Sequence, residues 1–387
     1  MKKTLLTIIS VIALVCPSVA RDNVKDANEI VGNIKAKYVP DKRQEVYEVN
    51  AKKGKKKTVV LTGKMSEQST HDALVAALDS AAVAYVDSLV VMPADDWAQV
   101  KLSVANMKTE ASHSSEMATQ AYLGTPLRVL ERVGSWWRVQ TPDGYISYIN
   151  ETGVVPRTPQ QLADWRKAKR LIVTATYQTH AFNSPDASGV RDVVTDLILG
   201  DIVEGEIADS AKRVLVTLPD GRQGWVETSE VAPFDEWAAQ PFDANKILDL
   251  AYSMMGSPYF WGGASIKMLD CSGLAKTTYF ANGIILLRDA SQQALTGKRI
   301  EPQDWRTCQP GDLLFFGNAK TGRVTHVCIY DKDGEYIHSS GRVKVNSVDP
   351  KADNYLTTPF FHAARIHGSE GTYGITRVAE HPWYFEK

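Results

Sequence analysis

The sequence has few cysteines, no excess of charge of either sign and no apolar run as long as a membrane span. Four cysteines among 387 residues exclude a disulfide-rich scaffold. The 44 Lys+Arg and 45 Asp+Glu residues give a net charge of -1, so the chain lacks the excess of basic residues that is typical of nucleic-acid-binding proteins. We therefore expect several folded domains of ordinary composition, no binding of nucleic acid and no stable insertion into a membrane.

Zinc signatures are also missing from the chain. Neither an HExxH nor a CxxC pattern occurs, and His362 with His367 lacks other ligand residues nearby in the sequence. We expect neither a metal nor another cofactor.

The first twenty residues have the pattern of a secretory signal peptide. Lys2 and Lys3 form a positive region, residues 5–15 an apolar region, and Ser18-Val19-Ala20 a small-x-small cleavage site. The pattern predicts export across the inner membrane, into the periplasm or the medium. Lipidation at Cys16 is the alternative, although Val15 before it is bulkier than the usual small residue.

Three segments between the predicted signal peptide and residue 240 have sequence patterns of folded units: 21–98, 99–155 and 170–232. Residues 21–98 predict a small α+β unit, with strands near Val46 and Val59 and a helical stripe near Leu74. Its role cannot be inferred from the sequence.

An internal repeat follows. Pro142-Asp143-Gly144 recurs as Pro219-Asp220-Gly221, and each turn lies between short β-rich runs closed by aromatic residues. The pattern resembles bacterial SH3-like domains, so we expect two small β-barrels at 99–155 and 170–232. Residues 158–169 predict a helical linker between them.

A candidate nucleophile lies in Asp270-Cys271-Ser272-Gly273, at the start of a predicted helix that ends at Gly283. Asp270 is a good N-cap and places Cys271 in the first turn. Backbone N–H groups and the helix dipole favour a thiolate there, so we expect a lowered pKa for the Cys271 thiol.

Two histidines follow on successive strands. His326 lies within Val324–Tyr330 and His338 within Tyr336–Ser339. A nucleophile, a base and a group that orients the base are what cysteine acyl chemistry requires.

Together with Gly256–Gly263 and Pro310–Phe316, this order of elements closely resembles the NlpC-like family of bacterial cell-wall cysteine peptidases. The resemblance covers about 240–387 and implies a papain-like α+β catalytic domain within a multidomain chain. It implies Cys271 as nucleophile, His326 as general base and later acid, and His338 as the residue that orients His326.

The resemblance also implies a substrate. The family cleaves amide bonds in peptidoglycan stem peptides, and the branch with two SH3-like domains resembles γ-D-glutamyl-L-diamino acid endopeptidases acting on short peptides with a free L-Ala amine. We expect a monomeric enzyme of murein peptide turnover or recycling.

We expect eight substrate-binding residues, some from local chemistry and some from the resemblance. Asp270 would anchor the substrate amine as well as cap the helix, and Arg288 or Asp289 would meet charged ends of the substrate. Trp261 could line the pocket or belong to the core. The full set is Tyr259, Trp261, Asp270, Ser272, Arg288 and Asp289 in the catalytic domain, and Glu116 and Tyr145 in the first SH3-like domain, which would wall the cleft.

Three alternatives remain open. The chain could be a broader murein hydrolase acting on intact wall, or a peptidoglycan-binding protein without catalysis, although the intact Cys and two His argue against the latter.

Cys328 lies where we expect a small residue, and its thiol could pair with Cys308 or pack; we favour packing.

The side-chain alternation of strands sets a geometric expectation for the two histidines. A three-residue turn at 332–334, with Gly334 in the left-handed region, would pair Asp331 with Glu335. His338 would then lie opposite Cys328 and diagonal to His326, and the two imidazoles would share a hydrogen bond.

Overall fold

The computed structural model describes residues 23–55 and 57–386. The predicted signal peptide and Cys16 lie outside the described residues. Within the described ranges, no helix is long and apolar enough to cross a membrane. The chain divides into two compact units, one ending at Asp95 and the other running from Asp96 to the C-terminus.

The N-terminal unit is a three-stranded sheet with two helices. Its elements are α1 (Asn23–Tyr38), β1 (Tyr47–Lys53), β2 (Val59–Met65), α2 (Gln68–Ser80) and β3 (Tyr85–Val91). β1 and β2 are antiparallel, and β2 and β3 are parallel because α2 crosses between them. The sequence did not predict α1, whose buried stripe is only Ala27, Val31 and Ile34. The expected boundary at residue 98 is also wrong, because Trp97 begins a strand of the next domain.

The first SH3-like barrel spans 97–157. Its strands are β4 (Trp97–Val100), β5 (Val104–Lys108), β6 (Met117–Tyr122), β7 (Pro126–Val133), β8 (Trp136–Gln140), β9 (Ile146–Asn150) and β10 (Val154–Arg157). They pair in the order β10-β4-β7-β8-β9-β5-β6.

The second barrel repeats that topology. Its strands are β11 (Arg170–Val173), β12 (Gln178–Phe182), β13 (Val193–Ile198), β14 (Ile202–Glu204), β15 (Arg213–Thr217), β16 (Gln223–Glu227) and β17 (Val231–Pro233). The order β17-β11-β14-β15-β16-β12-β13 is that of the first barrel, strand for strand. Between the barrels, the linker helix α3 (Pro159–Lys167) begins with a capping box from Thr158 to Gln161.

The catalytic-domain region places helices against a six-stranded sheet. The helices are α4 (Phe234–Ala238), α5 (Ala244–Ser253), α6 (Cys271–Ala281) and α7 (Ala290–Gln293). The strands are β18 (Ala264–Ser265), β19 (Met268–Leu269), β20 (Ile284–Leu286), β21 (Lys298–Ile300), β22 (Leu313–Asn318), β23 (Arg323–Tyr330), β24 (Glu335–Ser340), β25 (Arg342–Ser347), β26 (Phe360–Arg365) and β27 (Ile375–Arg377).

The large sheet has the order β21-β26-β22-β23-β24-β25, and its two faces carry different cores. One face packs on α6 through Phe315, Val327 and Ile337. The other face buries Phe316 and Cys328 in a second cluster. The start of α6 therefore lies against the middle of the sheet.

The hairpin of β23 and β24 has the predicted register. Ile329 pairs with Ile337, and the Asp331 N–H donates to the Glu335 carbonyl. Gly334 has a φ of 86°, as predicted, and Asp333 before it also has a positive φ. His338 therefore lies opposite Cys328, on the face shared with His326.

Candidate active site

The N-terminus of α6 holds Cys271 at its first position. Asp270 caps the helix, since its Oδ1 accepts the Gly273 N–H at 2.7 Å. Gly273 is required by close packing: a Cβ there would lie 1.9 Å from the Gly263 carbonyl oxygen. Backbone N–H groups of Ser272 and Val327 donate to the Cys271 sulfur, so α6 and β23 meet at the thiol.

The expected lowering of the Cys271 pKa is wrong. Burial and the neighbouring Asp270 carboxylate raise the thiol pKa to about 12, and the N–H donors and Arg288 only partly offset them. Cys271 is 7% exposed. The resting residue is a neutral thiol, so it needs a base to become a nucleophile.

A hydrogen-bonded chain fixes the tautomers of both histidines. The Asn346 amide nitrogen donates to the Asn354 carbonyl at 2.7 Å, which turns Asn346 Oδ1 toward His338. His338 Nε2 lies 2.9 Å from that oxygen and must donate to it. His338 Nδ1 is then the acceptor for His326 Nε2–H at 2.6 Å, which is the predicted imidazole contact. His326 Nδ1 is left unprotonated and can act as a base.

Both imidazoles are held neutral. Burial lowers the pKa of His326 to about 3, with a further lowering from His338 and Lys344. Burial also lowers the pKa of His338 to about 4, although Asn346 opposes the shift. The Asp270 charge raises the His326 pKa slightly, which is consistent with a position of His326 near the start of α6.

Arg288 lies beneath this end of the helix and is fully buried. Its Nε donates to Thr119 Oγ1 at 2.9 Å, and Nη1 donates to Asp270 Oδ1 and to Ser272 Oγ. Nη2 donates to Asp270 Oδ2 at 2.6 Å and to the Gly263 carbonyl at 3.5 Å. All five N–H groups have protein acceptors. We therefore correct the expectation that Arg288 meets a charged end of the substrate and assign it to the support of the site.

Asp270 is committed to the same network. Besides Gly273 and Arg288, its carboxylate accepts the Gly262 N–H at 3.0 Å and the Ser272 hydroxyl at 3.2 Å. Asp270 is 6% exposed, and Arg288 already offsets its charge. Asp270 and Ser272 both contact the start of α6, and their expected contacts with substrate stay predictions.

The carboxylate of Asp289 lies in a different environment. It is partly exposed, one residue beyond Arg288, and Tyr145 Oη of the first barrel donates to its Oδ2 at 3.3 Å. Among the sequence-predicted substrate residues, Tyr145 and Asp289 are thus brought together across the two domains. Glu116 is exposed beside Met117, whose carbonyl packs against Gly262, and its role stays a prediction.

Two aromatic residues form an exposed rim before α6. Trp261 is 61% exposed and Phe260 is 45% exposed, so the core interpretation of Trp261 is wrong. Tyr259 is half-buried, and burial together with Cys271 and Asp270 raises the pKa of its phenol. The Tyr259 hydroxyl stays protonated and can donate a hydrogen bond.

Sequence reasoning missed Asn346, Thr119 and the contact that seats the first barrel. Asn346 follows Arg342 and Lys344 at the polar positions of the alternating strand β25, so the local pattern did not mark it. Part of the barrel contact is polar: Gln120 Oε1 accepts the Ala264 N–H at 3.0 Å and the Ser265 hydroxyl at 2.9 Å. Nothing in the local sequence marks such a long-range partner.

The three cysteines in the described ranges are free thiols. Cys308 and Cys328 lie in the same buried cluster behind the sheet without a bond between them. The preference for packing over a disulfide is confirmed.

Comparisons with known proteins match both parts of this arrangement. A model of the NlpC/P60 family matches residues 256–365, and a model described as a bacterial dipeptidyl-peptidase Sh3 domain matches residues 108–154. A γ-D-glutamyl-L-lysine dipeptidyl-peptidase of Bacillus cereus is 28% identical over 64% of this chain and 74% of its own length. Dipeptidyl-peptidase 6 of Lysinibacillus sphaericus is 26% identical over 65% of this chain and 92% of its own length.

A shorter relative has higher identity to the catalytic region. A probable endopeptidase of Haemophilus influenzae is 38% identical over 29% of this chain and 67% of its own length. Among solved structures, an NlpC/P60 family protein of Bacillus cereus has a TM-score of 0.59 at 21% identity, covering 70% of this chain and 99% of that one. This structural likeness supports the shared multidomain fold.

Proposed function

The chain belongs to the NlpC/P60 family, and from this membership we propose that it is a cysteine endopeptidase of peptidoglycan stem peptides. We propose that it hydrolyses the γ-D-glutamyl-diamino acid amide bond in peptides with a free N-terminal L-Ala. The observation that carries the catalytic part is the chain from Asn346 through His338 to His326, which leaves His326 Nδ1 unprotonated. The next residue, Val327, donates its backbone N–H to the buried Cys271 thiol.

In the proposed first step, the Cys271 thiol proton moves to His326 Nδ1 as the sulfur attacks the D-glutamyl γ-carbonyl carbon. The carbonyl π electrons become the oxyanion, and the protonated Tyr259 hydroxyl donates a hydrogen bond to it in this proposal. Because burial disfavours an isolated thiolate, proton transfer is coupled to attack.

The second step releases the diamino acid. The His326 imidazolium gives its new proton to the departing amine nitrogen as the C–N bond breaks, which leaves a thioester on Cys271. Water then adds to the thioester with His326 as base, and the thiol is regenerated. Throughout, His338 Nδ1 accepts the His326 Nε2–H and holds the ring in orientation.

The free-amine specificity rests on the contact between Tyr145 and Asp289. A carboxylate that is partly exposed, next to the catalytic helix and walled by the first barrel is suited to a substrate ammonium. The barrel would limit the space beyond L-Ala, and a glycan strand attached there would not fit. This support favours short peptides over intact wall as substrates.

Variants of this contact test the specificity. Asp289→Asn should lower kcat/KM for L-Ala-γ-D-Glu-diaminopimelate by about 10- to 1,000-fold, because the substrate ammonium loses its counter-charge. Tyr145→Phe should cause a smaller loss. Tyr148→Phe, in the same barrel, is the matched control and should leave kcat/KM unchanged. A wild-type rate in Asp289→Asn would contradict this amine site, and rapid solubilisation of whole sacculi by the native enzyme would favour the broader hydrolase.

A further inference from the structure

The hairpin of β23 and β24 brings a third metal-ligating side chain to the histidine pair. His326 and Cys328 are two residues apart on one strand, and His338 is the partner of Cys328 on the other. One nitrogen of each imidazole and the Cys328 sulfur all lie within 4.8 Å of one another. No zinc motif in the sequence marks His326, Cys328 and His338, because the three residues come together only across the hairpin.

We propose that His326, Cys328 and His338 form an inhibitory site for a thiophilic divalent cation such as Zn²⁺. Two imidazole nitrogens and one thiolate are a common ligand set for tetrahedral zinc, with a fourth position left for solvent. Bond lengths of about 2.0 to 2.3 Å require ligand atoms about 3.3 to 3.6 Å apart. The imidazole nitrogens, now 2.6 Å apart, need to separate only slightly as an ion replaces their shared proton.

The surroundings of the three ligands support this assignment. His338 would bind through Nδ1 while its Nε2–H stays on Asn346 Oδ1, the outer hydrogen bond that metal-bound histidines commonly make. The Tyr336 hydroxyl is buried without a hydrogen-bond partner among the described residues, and it interacts electrostatically with Cys328. A Cys328 thiolate would give that hydroxyl an acceptor. His326 is partly exposed and provides the route of entry.

Binding has a defined proton balance. The Cys328 thiol loses its proton to solvent when sulfur binds the ion. His326 must bind through Nε2, so its proton moves to Nδ1 and the ring stays neutral. About one proton is therefore released per ion, and the nitrogen that serves as base in the proposed mechanism becomes blocked. The inhibition rests on the proposed function, whereas the binding does not.

Co²⁺ titration of the purified, reduced mature chain tests the binding directly, because thiolate-bound Co²⁺ has a charge-transfer band in the near ultraviolet. We expect saturation at one ion, a band retained in Cys271→Ala, and its loss in both Cys328→Ala and Cys328→Ser. Cys308→Ala is the matched control for a buried thiol in the same cluster and should keep the band. Calorimetry in buffers of different ionisation enthalpy should give about one released proton.

Two results would overturn the proposal. One is a band that is lost in Cys271→Ala and kept in the folded Cys328 variants, because the catalytic thiol would then be the ligand. The other is a native chain without a saturable band. In hydrolysis assays, Zn²⁺ should inhibit the native enzyme at a concentration at least about tenfold lower than it inhibits Cys328→Ala. Absence of hydrolysis in the native enzyme would contradict the proposed function and leave the Co²⁺ result to decide the metal site.

Discussion

At Cys271, burial and the adjacent Asp270 carboxylate both oppose ionisation, and together they outweigh the backbone N–H groups that reach the sulfur. At His326, burial opposes the imidazolium. Both side chains are therefore neutral at rest, and in the proposed mechanism the reactivity of Cys271 depends on a proton transfer within the substrate complex. This differs from a preformed thiolate–imidazolium pair.

The low His326 pKa predicts activity in mildly acidic solution. An imidazole that must be unprotonated loses function only below its own pKa, and that pKa is lowered from 6.5 to about 3. We expect kcat/KM to stay nearly constant from about pH 7 to pH 5, a range above the ordinary pKa values of the substrate carboxyl groups. Steady-state rates across this range provide the measurement. A tenfold fall between pH 6.5 and 5.5 would show a His326 of ordinary basicity.

Asn346 should act on catalysis through His338. Asn346→Ala removes the acceptor that selects the Nε2–H tautomer of His338, so a fraction of His338 no longer accepts from His326. We expect kcat to fall by about 10- to 100-fold with little change in KM. Cys271→Ala, which we expect to be folded and inactive, sets the assay background. Asn346→Asp restores an acceptor and should recover much of the rate. An unchanged kcat in Asn346→Ala would remove Asn346 from the chain.

At the scale of elements, the start of α6 is held by a buried ion pair. Asp270 and Arg288 are both buried and contact each other through two hydrogen bonds. The same turn is fixed by the Asp270 cap, by the packing of Gly273 against Gly263 and by the Asp270–Arg288 pair. The position of Cys271 therefore depends on Arg288, which lies 17 positions later in the chain.

Removing one partner should therefore be costly. Arg288→Met leaves the Asp270 charge buried and unpaired, and we expect a loss of about 3 to 5 kcal/mol in the free energy of unfolding of this unit. Denaturant titration followed by circular dichroism measures it. Arg306→Met is the matched control at an exposed arginine of the same domain and should change stability by under about 0.5 kcal/mol. Equal stabilities of the two variants would mean that the pair contributes nothing.

The elements also show what sequence reasoning can reach. The register of the β23 and β24 hairpin follows from period-two alternation and one glycine, both local features, and it was predicted correctly. Helix α1 was missed because few apolar residues mark its buried face. The sign of the Cys271 pKa shift was wrong because local sequence shows the helix N-terminus but not the depth of burial. The partners of Arg288 were hidden for the same reason: they come from distant parts of the chain.

At the scale of the whole catalytic unit, the first barrel is part of the site. Tyr122 Oη donates to the Ala264 carbonyl at 2.8 Å, and Lys276 of α6 forms an ion pair with Asp143 at 2.9 Å. With the contact of Tyr145 and Asp289, these bonds seat the barrel against the catalytic helix. In the proposed function, a domain so placed forms a wall of the cleft, which is the basis for the proposed preference for short peptides.

The most direct test of the proposed activity compares two substrates. Purified enzyme is incubated with L-Ala-γ-D-Glu-diaminopimelate and with its N-acetylated form, and the products are identified and timed by mass spectrometry. We predict release of L-Ala-D-Glu and diaminopimelate from the free-amine peptide. For the acetylated peptide, we expect a lower kcat/KM, equivalent to an activation free energy raised by about 2 to 5 kcal/mol, because the Asp289 carboxylate loses its ammonium partner. Equal rates on the two peptides, or cleavage at another bond, would contradict the account.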